Sequence, residues 1–299
     1  MKIKLLLLCF IFVLSFFLCS CSLTGYSEPE DRYIVSAIGF DYADGVIETS
    51  VQIVDGEKFT IRSGRGESVR QAMGHIEGAD AKQLEISHCA LIVIGDSVGK
   101  DDLSDIFEYC RQNGDITVGV KVASAHNAKE MLSFADGYEL LGAIRDNKDG
   151  VGFTRGSRFY EIEEIRESGE GQVYHLPYFE KDGEIYTVSG LKIYRKDSGI
   201  VRLDRSESVY YMMIKGELSG GVADFGGDSI YIEGCKTKLS DGRLICTLSV
   251  SDCGDKKETE MALSSAAQSL LSGLTERYGD IFAFGENEIL VECKLSEGR

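Results

Sequence analysis

The sequence predicts an α+β protein of mixed α/β character, with two to three small domains of mixed sheets flanked by helices. Three observations carry that prediction. Segments with period-2 apolar alternation interleave with segments of helical period up to about residue 145. From Glu184 the pattern turns strand-rich, and one long amphipathic stretch, Lys257–Asp280, stands near the C-terminal end. Hydrophobic residues make up 43% of the chain and charged residues 27%, the balance of a globular protein rather than a disordered one. No internal repeat is visible.

The elements follow in order. "RYIVSAIGFDY" and "VIETSVQIV" read as a β-hairpin turning at Ala43–Gly45, and Ser63–Gly66 reads as a loop rich in Gly and Arg. A helix follows, with Val69, Ala72, Met73 and Ile76 on one face and Ser68 with Gln71 spaced as a capping box. "ISHCALIVIGDS" reads as one buried strand. In "KDDLSDIFEYCRQNG", Leu103, Ile106, Phe107 and Cys110 recur at helical spacing. "ITVGVKVASA" alternates with period 2, and "NAKEMLSF" opens a helix with Asn127 as its cap. A polar, Gly-rich stretch (145–152) comes next. Beyond Glu184 the strands "EIYTVSGLKIYR" and "IVRLD" precede a helix "SESVYYMMIKGEL" capped by Ser206. The strands "SIYIEGCKTKL" and "RLICTLSV", the long helix with Met261, Leu263, Ala267, Leu270, Leu271 and Leu274, and a last strand "EILVECKL" complete the chain. The expected division is residues 31–183 and residues 184–299, with a domain boundary between Gly183 and Glu184.

The first thirty residues have a different character. Lys2 and Lys4 precede an apolar run from Leu5 to about Leu18, followed by small residues and a polar tail, which is the layout of an export signal. The run is shorter than the roughly 20 residues that span a hydrocarbon core, and no basic stop-transfer cluster follows it. "Leu18-Cys19-Ser20-Cys21" resembles the bacterial lipobox, with Cys19 as a minor departure. That resemblance implies signal peptidase cleavage between Ser20 and Cys21, and diacylglycerol on the Cys21 sulfur. Residues 1–20 are then a signal peptide and residues 21–30 a tether. One acyl chain holds a protein only marginally and two hold it stably, so the body is expected on the outer face of a membrane.

Charge narrows the partners. The formal charge is −17, and loss of Lys2 and Lys4 makes it −19. Such a body is expected to be repelled by nucleic acid and by anionic headgroups, so that lipid rather than a basic patch holds it, and no nucleic-acid-binding constellation is visible. Beyond Cys21 stand six cysteines: Cys89, Cys110, Cys235, Cys246, Cys253 and Cys293. Their apolar settings, with Cys89 and Cys246 in strand interiors, read as buried free thiols; one pair among the last four stays open. No CxxC occurs, which speaks against a structural zinc site.

The catalytic motifs fail on spacing or context. "GDSVGKD" (Gly95–Asp101) has three residues between its glycines and Asp where a phosphate loop places Ser or Thr, so it reads as a strand-to-helix turn. "Ser189-Gly190-Leu191-Lys192" matches S-x-x-K but lies in a strand pattern without the motifs that accompany it in penicillin-recognising enzymes. "GVGFTRG" (Gly150–Gly156) has the wrong spacing for a dinucleotide fingerprint. The four histidines, His75, His88, His126 and His175, form no HExxH, and His88 reads as a packed histidine at a strand start. No catalytic residue, metal ligand or cofactor site is assigned.

Several stretches, taken together and in order, resemble the C-subunit lipoproteins of spore germinant receptors (the Ger(x)C family). "DRYIVSAIGFDYADGVIETSVQIV" is similar to the family's opening strands, "GESVRQAMGHIEG" to its next helix, and "LEISHCALIVIGDSVGKDDL" to its H-x-x-x-x-x-I-G-E strand and turn. "EYCRQNGDITVGVKVASAHNAKEML", "SGLKIYRKDSGIVRLDRSESVYYMMIKGELSGG" and "AAQSLLSGLTERYGDIFAFGE" resemble the segments that follow. Two departures stand out: no Trp occurs near Cys21 or elsewhere, and "FGENEILVECKLSEGR" replaces the aromatic helix and β-rich tail of longer members. The expectation is a shortened final domain. The resemblance implies a non-enzymatic subunit on the outer surface of the spore inner membrane, without cofactor. Its implied partners are a multi-spanning A-type subunit, a transporter-like B-type subunit and membrane lipid held through Cys21. A lipid-anchored solute-binding protein of a transporter or sensor is the alternative from another class, although repeated βαβ lobes are not visible. An exported hydrolase is the third reading.

Overall fold

A computed structural model describes residues 32–56, 58–79, 82–145, 158–168, 173–196, 198–251, 253–284 and 289–297. Ser20, Cys21 and the whole export signal lie outside the described residues. The strands are β1 (Arg32–Ala43), β2 (Val46–Asp55), β3 (Lys58–Gly66), β4 (Gln83–Glu85), β5 (Leu91–Gly95), β6 (Lys121–Ala125), β7 (Val173–Asp182), β8 (Ile185–Arg195), β9 (Ser198–Leu203), β10 (Gly221–Phe225), β11 (Asp228–Ser240), β12 (Arg243–Val250) and β13 (Leu290–Glu297). The helices are α1 (Val69–Glu77), α2 (Lys100–Gln112), α3 (Ala128–Phe134), α4 (Gly137–Arg145), α5 (Phe159–Glu167), α6 (Arg205–Lys215) and α7 (Lys256–Tyr278). The α+β class expected from the sequence is the one observed.

Among the described residues there are two sheets. The larger has the order β3-β2-β1-β5-β6-β7-β8-β9, with β4 also pairing the start of β1, and the smaller has the order β10-β11-β12-β13. Strands β1, β5, β6 and β7 run parallel in the middle of the larger sheet, and antiparallel hairpins flank them on both sides. Parallel neighbours need crossovers, and helices supply them on both faces. Helices α1, α2 and α5 cover one face, over Ile38, Phe40, Ile92, Ile94 and Leu176. Helices α3, α4 and α6 cover the other, over Ala37, Leu91, Val93, Leu191 and Ile193.

Helix α6 joins the sheets. Its residues Ser208–Ile214 are all buried, and they share one core with Leu203 of the larger sheet and with Ile232, Leu244 and Cys246 of the smaller. A helix that is apolar on every side is a core helix, and "SVYYMMI" is such a sequence. The boundary expected between Gly183 and Glu184 falls inside the larger sheet. Asp182 faces Ile185 across a tight turn in which Gly183 has φ +62°, and β7 and β8 pair along their lengths. The turn from mixed to strand-rich patterning therefore marks the antiparallel flank of one sheet, not a break between domains.

Other expectations shift for local reasons. Ser63–Gly66 is not a loop but the end of β3, paired with Ile47–Ser50. Its glycines serve close approach: a Cβ at Gly64 would stand 2.1 Å from the Ala72 carbonyl oxygen of α1, and one at Gly66 2.8 Å from the Ala72 nitrogen. The strand read from Ile86 starts only at Leu91, because Ile86–His88 form a 3₁₀ turn that steps the chain from β4 to β5. Cys89 sits just after that turn, buried but outside the strand. Likewise β6 begins at Lys121; residues 116–120 form turns closed by Ile116 N–H to Asn113 O and Val120 N–H to Thr117 O. Helix α6 is capped by Asp204 rather than Ser206, in a reciprocal box where Asp204 Oδ1 accepts from the Glu207 amide and Glu207 Oε2 from the Asp204 amide.

The outer edge of β13 is closed by α7. Glu260 Oε1 accepts from Leu295 N–H at 2.7 Å, Ser264 Oγ from Cys293 N–H at 2.8 Å, and Gln268 Oε1 from Val291 N–H at 2.7 Å. Gln268 Nε2 also donates to the Ile289 carbonyl at 3.1 Å. Four residues of helix rise about 6 Å and two residues of strand about 6.6 Å, so the two periods match.

Candidate functional site

The carboxyl ends of parallel strands are where open α/β sheets gather functional groups, and polar side chains gather there in this chain too. Asp41 at the end of β1 is buried. Its Oδ1 accepts from the Ala128 amide at 3.0 Å and its Oδ2 from the Lys129 amide at 2.9 Å, which fixes the first turn of α3. Gly95 at the end of β5 leaves the room: a Cβ there would meet Asp41 Oδ1 at 2.0 Å. Glu48 on β2, also buried, accepts from Lys129 Nζ at 2.6 Å and from Arg65 Nη2 at 2.9 Å. Asp96, just past β5, accepts from Lys192 Nζ at 2.5 Å and from the Tyr178 hydroxyl at 2.6 Å. The exposed His126 stands 3.4 Å from its Oδ2.

Burial sets the electrostatics and the partners decide its sign. For Asp41, burial outweighs the two amides and raises the carboxyl above its ordinary 3.8. Burial pushes Asp96 upward too, but hydrogen bonds from Lys192 and Tyr178 overcome it and the net shift is downward. Glu48 follows Asp96, with Lys129 and Arg65 overcoming burial. Stability carried by a lowered carboxyl is fully present above its unfolded value and is lost as pH falls through its folded value. Asp41 runs the other way, its charge costing stability as pH rises through its folded value. Asp96→Asn is therefore expected to destabilise the protein at neutral pH, with the gap to the parent closing as pH falls below the ordinary 3.8 and through the lowered folded value. Urea melts over a pH series measure this, and a gap independent of pH would remove the ionic role given to Asp96.

A second polar knot is fully internal. Gln52 of β2 is wholly buried and makes four hydrogen bonds. Its Oε1 accepts from Ser36 Oγ and from the Gly137 amide, each at 2.6 Å, while Nε2 donates to the carbonyls of Leu132 at 2.7 Å and Ala135 at 2.8 Å. It thereby ties the corner between α3 and α4 to the hairpin. These knots hold the fold. Their oxygens and nitrogens are spent on each other, so they position elements rather than supply a reacting group.

The residues weighed from the sequence fall as follows. Gly95–Asp101 is the β5-to-α2 turn, as read, and its Asp96 is the ion-pair centre. Ser189 and Lys192 lie in β8; Lys192 reaches Asp96, and Ser189 Oγ donates to the Tyr178 carbonyl at 3.4 Å. Gly150–Gly156 lies outside the described residues. His88 is exposed at the end of the 3₁₀ turn rather than packed, because the strand it was expected to open begins three residues later. His175 is half-buried, and desolvation together with Lys215 lowers it to about 4. Cys89, Cys110, Cys246 and Cys293 are buried free thiols, and Cys235 and Cys253 are half-buried free thiols. Burial pushes Cys89 up to about 12. Among the described residues no group of His, Cys, Asp and Glu is arranged to hold a metal ion, and no described helix is long and apolar enough to cross a membrane. A cleft of about 600 Å³ opens between β9, α6 and α7, walled by Leu203, Tyr210, Phe225, Leu270 and Arg277; neither His, Cys nor Lys lines it.

Comparison with known proteins decides the family. Residues 25–180 match the family model described as spore germination protein N-terminal domain. The chain belongs to this family. The match takes in β1 to the end of β7 apart from its last two residues, and so includes Gln52, Asp41, Asp96 and their partners except Lys192, which lies beyond it on β8. This germination protein is also similar in fold to the crystal structure of the GerBC protein. The TM-score is 0.51 and the identity 11%, over 87% of this chain and 96% of that chain. No curated protein matched the chain. The resemblance to germinant-receptor C subunits read from six stretches of sequence is borne out at the level of the family. Gln52, Asp41 and the Asp96–Lys192 pair were not singled out as a set, because most of their partners lie 80 to 96 residues away. The Q in the "VQIV" strand ending was the one visible signal.

Proposed function

We propose that this germination protein is the lipid-anchored, non-enzymatic C subunit of a spore nutrient-germinant receptor, acting at the outer face of the spore inner membrane. The observation that carries the reading is the family match over residues 25–180, which begins just past the lipobox cysteine. Ser20 and Cys21 are the cleavage pair and Cys21 the lipid-bearing residue, as the lipobox implies. The acidic body suits a subunit held by lipid rather than by overall charge. Its partners are an A-type multi-spanning subunit and a B-type transporter-like subunit.

Nutrient-triggered loss of refractility in spores tests the reading. Deletion and Cys21→Ala strains are both expected to fail with a nutrient to which the parent responds. Cys21→Ala protein that still carries lipid in the membrane fraction would refute the anchor, and normal germination of both strains with every nutrient tried would refute the receptor role.

A further inference from the structure

Among the described residues one face of the smaller sheet is uncovered. Residues Leu244, Cys246 and Leu248 of β12 and Val291, Cys293 and Leu295 of β13 point into the shared core beneath α6 and α7. The alternate residues point outward, and strand register orders them into rows. One row is Lys236, Thr247 and Lys294; the next is Lys238, Ile245 and Glu292; the last is Ser240, Arg243 and Leu290. Lys236, Lys238, Arg243, Thr247, Leu290 and Lys294 are exposed.

The charge of this face runs against that of the chain. The whole sequence holds 49 acidic and 32 basic residues, yet these rows hold four cations and one carboxylate. That carboxylate, Glu292, is already paired with Lys294 at 3.2 Å. Lys236, Lys238 and Arg243 make no ion pair among the described residues. Asp241 lies at the rim in the β11–β12 turn, and Glu233 at the β11 bulge toward the opposite end of the face. The exposed side chain of Leu290 stands beside Arg243, so apolar and cationic groups share the surface, as they do where proteins rest on a headgroup layer.

We infer that this outer face of β11–β13 docks on the anionic headgroup surface of the membrane. The inference rests on the lipid-anchored reading above. The chain from Cys21 to Arg32 has a contour length of about 35–40 Å, which leaves the body free to choose which face it lays down. Charge complementarity makes the choice: three unpaired cations meet phosphates, and the acidic remainder of the body turns away from them.

The test uses the full chain, extracted from membranes and reconstituted on vesicles of phosphatidylcholine, alone or mixed with phosphatidylglycerol. Flotation reports attachment, and modification by a membrane-impermeant amine reagent, read by mass spectrometry, reports docking. On the mixed vesicles Lys236, Lys238 and Lys294 are expected to be protected about fivefold or more relative to phosphatidylcholine alone. Lys100 on α2 should be unchanged, and salt near 1 M should abolish the protection. In the triple variant Lys236→Glu, Lys238→Glu, Arg243→Glu, which alters only exposed side chains, Lys294 should label equally on both vesicles while flotation is retained.

Flotation on both vesicles with equal labelling would overturn the docking and leave the anchor standing. Failure to float on phosphatidylcholine would overturn the anchor; protection on mixed vesicles would then uphold the face by itself. Protection by added polyglutamate but not by phosphatidylglycerol would replace the membrane with an acidic protein as the occupant.

Discussion

Gln52→Leu is expected to lower the unfolding free energy by more than about 4 kcal/mol, because each buried polar group left unsatisfied costs about 1–3 kcal/mol. The side chain is of similar size and the site is wholly buried, so packing changes little and the loss falls on hydrogen bonding. The carbonyls of Leu132 and Ala135 and the amide of Gly137 would all lose their bond to this residue. Gln52→Glu keeps the accepting oxygen and, when protonated, offers one donor where the amide offered two, so it should fall between the parent and Gln52→Leu. Chemical denaturation measures the loss, and amide exchange at Gly137 should accelerate before global unfolding. A Gln52→Leu protein within 1 kcal/mol of the parent would mean that the α3–α4 corner is held by something else; that threshold is the typical net worth of about one hydrogen bond.

Gly64→Ala is the second large effect, at about 3 kcal/mol, the upper range for forcing a methyl into a packed interior. The added carbon would lie 2.1 Å from a backbone oxygen of α1 and 2.9 Å from the side chain of Ile76. The nearest atom is backbone, so no rotamer change relieves it and the helix must lift from β3. Lifting it exposes Val69, Met73 and Ile76, which pack on Val51 and Ile53 in the same core. Thermal melts of Gly64→Ala beside Gly74→Ala give the control, since a Cβ at Gly74 meets nothing within 4 Å. Equal effects at the two positions would contradict the close approach.

Those two residues also mark what was legible from the chain alone. Periodicity located most elements, and the hairpin, the helices opened by Ser68 and Asn127 and the long C-terminal helix stand where the pattern puts them. Composition misled at Ser63–Gly66. Glycine there reports the proximity of a helix, not a turn, and the two uses look alike until the neighbour is known. Asp41 has the same ambiguity, since a hairpin Asp beside Tyr42 looks solvated until α3, 87 residues on, brings its amides. A lipobox is a motif of neighbouring residues and so can be read from the chain as an expectation, whereas Gln52, Asp96 and Lys192 depend on contacts that only the topology creates.

The side chains of Glu260, Ser264 and Gln268 have a further consequence for self-association. A strand whose outward amides are already answered offers no template to a second molecule, so extension of the smaller sheet by another copy is blocked at β13. Loss of β13 would reverse this, stripping the partners from all three helix side chains and baring β12 along its whole length as a new pairing edge. A chain shortened before Leu290 is thus predisposed to exchange strands with its neighbours, and the few residues of β13 act as a stopper against polymerisation as well as a piece of the core.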